Sequence, residues 1–409
     1  MTASVAVAIL GAGPYGLSLA AHLHAAGVPF VIFGQPMENW ATRMPERMYL
    51  KSDGFASGLY DPHSAYTLKT HCEQHGIDYA DTGLPVSRAL FVEYGRAFQR
   101  ALAPSLHAAN VTAVAQSGDG YLVTAEDGYR LHARAVVVAT GLSHVEHVPD
   151  ALRALPPPLC AHSSAMADLS VLKDRRVIVV GAGASASDVA GLAAQEGAAV
   201  TLVSRQAPTF HERGSGKRSL WQRLTAPNLG LGPNLRSSLC IALPDVFHAL
   251  PAARRAGVVR RHLGPAGGWF MRDLVLGHVT QVRGEIASAR AVDGAVELAV
   301  ETPDGGRQTL SADRVVAATG YQVDVARYAF LSPELRAAVR TESGSPRLSH
   351  HFQSSVPGLY FVGLPAAIAF GPAQRFAIGA RFAAGRVSAH LRRYRARHPV
   401  PSAIPVTQR

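Results

Sequence analysis

Residues 4–10 form a short, dense apolar run, and the glycines of GAGPYG follow it at once. Leu17, Ala20, Ala21 and Leu23 then recur at helical spacing until Gly27, and a second apolar run, VPFVIF, fills 28–33. This pattern predicts strand, glycine turn, helix, strand. The same grammar returns as RRVIVV, GAGASA, SDVAGLAAQEG and AAVTLVSR over 175–205. Downstream the halves match again, because DGYLVTAEDGYRLHARAVVVATG (119–141) parallels DGAVELAVETPDGGRQTLSADRVVAATG (293–320). Both read as alternating strands with DG turns, closing on a buried strand that ends in Ala-Thr-Gly. First and closing glycines stand 130 residues apart in one copy (11 to 141) and 139 in the other (181 to 320). A lone G-x-G-x-x-G is weak, since such turns also serve purely structural ends; a duplicated one inside a duplicated plan predicts two dinucleotide sites.

Each turn has its own chemistry. In the first unit Gly11 allows the tight turn, Gly13 lets backbone approach a pyrophosphate, and Gly16 lets the helix pack on the sheet. Pro14 and Tyr15 sit between them, at a helix N-terminus whose free N–H groups and dipole favour phosphate. In the second unit Gly181 and Gly183 repeat these roles beside Ser185, and Ala186 takes the third position, a replacement the fingerprint permits. About 20 residues further on, where an NAD unit carries an acid, the chain has Ser204-Arg205; an arginine there suits the 2′-phosphate of NADPH. The first unit has Gly34 where a ribose-binding acid is usual, so the contact is expected from Gln35, from Glu38 or from backbone alone. The closing Thr140-Gly141 and Thr319-Gly320 are further expected cofactor contacts.

Composition narrows the class. Of 409 residues, 48% are hydrophobic and 17% charged, the profile of a globular protein with roughly two or three domains. The net charge of +11 would suit nucleic acid, anionic lipid or charged cofactors. Basic residues thicken at 254–261 (Arg254, Arg255, Arg260, Arg261) and at Arg392, Arg393 and Arg395, without the aromatic interleaving of single-strand binding, so nucleic acid is not an expected partner. No apolar run approaches the ~18–20 residues of a membrane span, and VAVAIL near the N-terminus leads into a glycine turn as a buried strand would. A cytoplasmic protein, in whatever oligomeric state, is the expectation. Cys72, Cys160 and Cys240 form no C-x-x-C pair, so disulfide exchange is not expected. His71, Cys72 and His75 lack a fourth ligand at a matching spacing; they read as a solvated helix face, and no metal is assigned.

The chain resembles the two-dinucleotide flavoprotein monooxygenases: flavin-containing monooxygenases, Baeyer–Villiger enzymes and amine N-hydroxylases. The likeness rests on GAGPYG, GAGASA, the two ATG elements and VPGLYFVG at 356–363, and it covers nearly the whole chain. The segment 37–62 looks closest to a branch with FAD-dependent urate hydroxylases and amine-oxidising N-oxygenases. Of that family's linker fingerprint, F-x-G-x-x-x-H with a following aromatic, only His162 stands; Pro156, Pro158 and Met166 fill the other positions.

The resemblance implies an α/β fold of tandem Rossmann-like domains, three-layered and glutathione-reductase-like, with the NADPH domain inserted in the FAD domain. Residues 1–165 would be the first part of the FAD domain. Residues 166–320 would bind NADPH and carry a substrate-capping excursion at about 212–275, and 321–409 would complete the FAD domain and add a C-terminal helix. It implies FAD in the first unit and NADPH in the second. One oxygen atom of O2 would pass through a flavin 4a-hydroperoxide to a small nucleophilic substrate, most simply an amine or amino-acid-like compound. The cofactor then carries the hard chemistry, in keeping with the lack of a G-x-S-x-G elbow.

Several residues are candidates for the flavin's surroundings. Trp40 is placed to stack or shield, Arg43, Lys51 and Ser52 to offer charge and hydrogen bonds near the pyrimidine end or the substrate, and Gly363 to bring backbone close. A core tryptophan and solvated basic residues are the plainer alternative for these. Pro372 is expected to begin a helix whose first turn holds Gln374 and Arg375 toward a reduced flavin. Arg213, Lys217 and Arg218, in the excursion, would clamp the NADPH phosphate or favour an anionic substrate. The competing functions are an NAD(P)H:quinone-type dehydrogenase at a membrane surface, a urate or heterocycle hydroxylase, and a flavin redox sensor without turnover. The face Phe376, Ala380, Ala383, Val387 and Leu391 is thin and alanine-rich, better suited to packing on the FAD domain than to lipid.

Overall fold

A computed structural model describes residues 3–397, apart from 215–218, 220, 222–224 and 263. Strands β1 (Ala3–Leu10), β2 (Phe30–Phe33) and β3 (Leu106–His107) run parallel in the order β3-β2-β1. β4 (Val111–Ser117) and β5 (Gly120–Ala125) form a hairpin; β5 pairs antiparallel with the first half of β6 (Arg130–Val138), and β6 lies parallel to β1. From Val5 to Leu10 every residue of β1 is buried, as a parallel strand covered on both faces demands. The helix Pro14–Ala25 covers one face with Leu17, Leu19, Ala20 and Leu23.

The second sheet is all parallel. It contains β7 (Cys160–His162), β8 (Arg176–Val180), β9 (Ala199–Ser204) and β10 (Thr280–Arg283). A separate antiparallel ribbon, β11 (Glu285–Val292), β12 (Ala295–Glu301) and β13 (Arg307–Ala312), leads into β14 (Arg314–Ala317), and the sheet order is β10-β9-β8-β14-β7. The expected DG turn between β11 and β12 is present, with Asp293 and Gly294 both at positive φ (48° and 78°), the backbone of a two-residue hairpin. Along β12 only Val296, Leu298 and Val300 are buried, the alternation of a ribbon with one covered face. The strands β15 (Thr341–Glu342) and β16 (Ser345–Pro346) make a small hairpin before β17 (Leu359–Phe361). β17 then returns to the first sheet and pairs with the second half of β6. The second sheet is thus inserted between parts of the first, the α/β arrangement expected. β7 lies within the range 1–165 expected of the first unit, yet it pairs with β14; we place the boundary ahead of Cys160.

The C-terminal helix Gly379–Arg397 packs against Pro14–Ala25, burying Ala380, Ala383, Val387 and Leu391. That face is therefore covered by protein. Pro372 does not open an α-helix: Pro372–Arg375 is a single 3-10 turn, Phe376 is extended, and the long helix begins only at Gly379. The reason lies in Tyr15, whose hydroxyl donates to the carbonyls of Gln374 (3.0 Å) and Phe376 (2.9 Å), the groups that a continuing helix would need. His71 and Cys72 are buried rather than solvated, because the helix Leu68–His75 turns them onto Tyr66, Tyr94 and the first core. All three cysteines are free.

Candidate functional site

The two glycine turns have the same construction. Gly11 N–H donates to Phe33 O and Gly181 N–H to Val203 O, each at 2.9 Å. Gly11 has φ +111°, and a Cβ there would stand 2.5 Å from Ala139 O; Gly181 has φ +137°, and its Cβ would stand 2.3 Å from Ala318 O. Ala139 and Ala318 precede the two Thr-Gly pairs, so each turn is pressed against the end of its own closing strand. Gly13 and Gly183 then cap their helices with nearly identical backbone (φ −89°, ψ −171° and φ −86°, ψ −175°). At the third position a Cβ on Gly16 would lie 1.9 Å from Gly11 O, so the first turn requires glycine there, while the second turn carries the buried Ala186.

Above the first turn lies a cavity of about 550 Å³. Gly11, Gly13, Pro14, Tyr15, Gln35, Glu38, Trp40, Thr140, Gly141, Gly363, Gln374 and Arg375 line it, as expected for cofactor contacts. Gly363 (φ +77°) brings backbone within 3.5 Å of the Tyr15 ring, measured from where a Cβ would stand. Two polar atoms of residues lining this space, Gln374 Oε1 and Thr140 Oγ1, are buried without a hydrogen-bond partner among the described residues. Buried polar atoms in folded proteins are mostly paired, and these two, on the wall of one cavity, fit a polar group of a bound molecule. Trp40 packs edge-on against Phe91 (4.8 Å between ring centres), part core and part wall.

A family model of pyridine nucleotide-disulphide oxidoreductases matches residues 8–223. The chain belongs to that family. Indole-3-pyruvate monooxygenase YUCCA1 of Oryza sativa subsp. japonica is 28% identical over 337 residues, which cover 78% of this chain and 77% of the relative. Among solved structures, the ornithine N-hydroxylase of Kutzneria sp. 744, with reduced FAD, NADP+ and L-ornithine, has a TM-score of 0.74 at 18% identity, covering 96% of this chain and all of that one. The bacillithiol disulfide reductase of Staphylococcus aureus has a TM-score of 0.64 at 17% identity, covering 97% and 100%. The expectations of an α/β two-dinucleotide flavoprotein oxidoreductase, with FAD and a pyridine nucleotide as its cofactors, are borne out.

For a member of this family the surroundings of the ribose end are unusual. Gly34 (φ +106°) faces Asn110, whose Oδ1 would be in ordinary contact at 3.4 Å with a Cβ there, so the left-handed backbone rather than lack of space disfavours a side chain at 34. Asn110 and Asn39 also line the cavity, and sequence reasoning missed both. Asn39 donates to Thr140 O at 3.2 Å and accepts from Ser143, which ties the short helix Glu38–Thr42 to the closing turn. No spacing rule singles them out, since their partners are about 75 to 105 residues away in the chain. Gln35 is exposed and donates to Ala108 O at 2.6 Å. Arg43 lines the cavity but is ion-paired with Glu146 at 2.8 Å, so its charge is already matched.

The remaining candidates lie between the units. Lys51 and Ser52 do not line the cavity; Lys51 Nζ sits 5.8 Å over the ring of Phe376, which does, and reaches Ala266 O at 3.4 Å. Desolvation, with Arg375 nearby, pulls the Lys51 pKa down, while Asp188 pushes it back up. Asp188 is buried on the helix Ala184–Gln195, and burial raises its pKa to about 7 against the pull of Lys51. Lys51 thus stands beside the cavity wall at Phe376 and within electrostatic reach of Asp188 on the second unit's helix. Ser185 and Ala186 belong to that same helix start. Ser204 is buried and donates to Gln206 O at 2.7 Å, and Arg205 is exposed at the end of β9. Thr319 donates to His147 O, and Gly320 O accepts from His162 Nε2 at 3.0 Å. Because His162 Nδ1 accepts from Ser164 N–H, the ring is the Nε2–H tautomer and neutral, and burial keeps its pKa down.

In the excursion Arg213 Nε donates to Gly83 O at 3.2 Å and its guanidinium stacks on Trp269 at 4.8 Å. Lys217 and Arg218 lie outside the described residues. Residues 265–267 instead pair with 209–211 and pass over the second turn, with Pro265 Cβ 3.9 Å from where a Cβ on Gly183 would stand.

Proposed function

We propose that this oxidoreductase is an NADPH-dependent monooxygenase that places one oxygen atom of O2 on a small nucleophile, most simply the nitrogen of an amine or amino-acid-like compound. The observations that carry the reading are the two glycine turns of one construction and the polar-lined cavity above the first, with Lys51 over the Phe376 ring on its wall. The overall reaction balances as NADPH, a proton, O2 and amine giving NADP+, water and hydroxylamine. FAD, when bound, supplies the two-electron relay from nicotinamide to dioxygen.

The chain's own residues do the rest. Gly13 and Gly183 offer helix N-terminal N–H groups to two pyrophosphates. Gln374 Oε1 and Thr140 Oγ1 give the flavin hydrogen-bonding partners, and Tyr15 holds the Gln374 turn in place. Arg205 takes the 2′-phosphate, which selects NADPH over NADH. Lys51 and Ser52 flank the approach beside Phe376, where an ammonium suits a substrate carboxylate. Support for an amine comes from the ornithine named with the Kutzneria fold neighbour.

The likeness to a bacillithiol disulfide reductase supplies a second reading, electron transfer to a small disulfide without oxygen. One experiment separates the two. FAD-loaded protein is given NADPH with a panel of diamines, amino acids and low-molecular-weight disulfides, and oxygen uptake and hydroxylamine are measured. Hydroxylamine formed in step with oxygen supports the proposal. NADPH oxidation that needs a disulfide or quinone and no oxygen would replace it, and a flavin that NADPH does not bleach would leave only a sensor.

A further inference from the structure

The helix Leu235–Ala242 is inside out. Its serines are buried, Ser237 at 2% and Ser238 at 3% exposure, while its leucines face solvent, Leu235 at 52% and Leu239 at 47%. The inward serines are satisfied: Ser238 donates to Pro227 O at 2.6 Å, and Ser237 Oγ meets His262 Nε2 at 3.2 Å. The outward leucines have no such account, and Leu243 (46%) and Val246 (59%) extend the exposed apolar row into the helix Pro244–Ala249. Scattered exposed leucines need no explanation, but four within twelve residues, on a helix that hides its polar side, mark a surface built to be covered.

The charges beside this row choose the partner. The helix Ala252–Arg261 is tied to it through the Ser237–His262 contact and through Arg255, which donates to His248 O. Its two nearby acids are taken: Asp245 pairs with Arg386 at 2.6 Å and Glu342 with Arg255 at 3.0 Å. Arg236, Arg254, Arg260 and Arg261 are exposed and carry no ion pair among the described residues. A second copy of a chain with net charge +11 would bring like charge to this face, whereas an anionic bilayer offers an apolar interior beneath a negative surface. We infer that the helices 235–261 form a docking surface for an anionic phospholipid bilayer, the leucine row entering the headgroup boundary and the arginines resting on it. The inference does not depend on the reaction proposed above.

The test uses FAD-loaded full-length protein with sedimented vesicles of phosphatidylcholine, alone or mixed with phosphatidylglycerol. Binding to the anionic vesicles is expected, weakened by salt and at least about tenfold poorer with phosphatidylcholine alone. Arg254→Ser with Arg260→Ser should weaken it about twentyfold, and Leu239→Ser with Val246→Ser should abolish it while the melting temperature and flavin content stay unchanged. Equal partition to both vesicle types, or no partition to either, overturns the inference. So does a concentration-dependent dimer that the Leu239→Ser, Val246→Ser variant dissolves, which would assign the same face to a second copy.

Discussion

At the scale of single residues, the positions that were legible are those where backbone geometry leaves no choice. Gly11 and Gly181 hold positive φ and sit against a carbonyl oxygen, so their motif role and steric role coincide. Gly181→Ala should destabilise the protein by about 1–3 kcal/mol and raise the KM for NADPH, read by thermal melting and steady-state kinetics. The role proposed for Arg205 rests on its offset from the glycines. Arg205→Ser is expected to lower kcat/KM for NADPH about 10–100-fold and leave that for NADH unchanged, since only the 2′-phosphate loses its partner. Asn39, Asn110 and Asp188 were not legible, because each matters through contacts that the fold alone creates. Asp188 makes a signed prediction. Its folded pKa, about 7, stands above the ordinary carboxylate value, so the folded state binds the proton more tightly than the unfolded chain. Its burden on stability therefore grows as pH rises from about 4 to 7 and is complete above that range. Asp188→Asn should raise the melting temperature more at pH 8 than at pH 5; an equal change at both would mean that the carboxyl titrates normally.

At the scale of elements, the duplicated strands and helices were readable because each carries its full apolar signal locally. The turn Pro372–Arg375 was not, since proline followed by a long periodic segment looks like a helix start. What stops it is a hydroxyl from the other end of the chain. Tyr15 is partly buried, and desolvation holds its pKa well above the usual phenol value, so it remains a donor to Gln374 O and Phe376 O throughout the working pH range. Tyr15→Phe removes that donor and leaves buried carbonyls short of a partner, at a cost of about 1–3 kcal/mol. The turn bearing Gln374 and Arg375 should loosen, and the variant should release flavin more readily on dilution, followed by flavin fluorescence. A variant that melts lower yet retains flavin as tightly would separate the tyrosine's stabilising role from the cavity. The excursion was the least legible element. Its helices are six to ten residues long, and the one over 235–242 points its leucines outward, against the rule that periodicity reading assumes.

At the scale of the whole molecule, the tandem plan was visible because a repeat of 130 and 139 residues is a global property of the sequence. The state of the histidines was not, since it depends on what folds over them. Burial pulls His22, His144, His162, His211 and His262 below the ordinary imidazole pKa. It does the same to His71, His248 and His351, each also beside another histidine. In each case the unfolded chain binds the proton more readily than the folded one, so stability is full above about pH 6.5 and declines as pH falls through the lowered values. Asp188 and Asp53, both raised by burial, act in the opposite sense over part of this range, two groups against eight. Carboxylates such as Asp61 and Asp313, held low by backbone and arginine hydrogen bonds, add their own loss only below about pH 4. Two separable steps of acid destabilisation are therefore expected, the first between about pH 6.5 and 5, seen as a falling melting temperature. Because its cause is desolvation rather than attraction between surface charges, added salt should leave the first step in place. A melting temperature that stays level from pH 7.5 to 5, or a first step that salt erases, would show that these histidines titrate as exposed ones do.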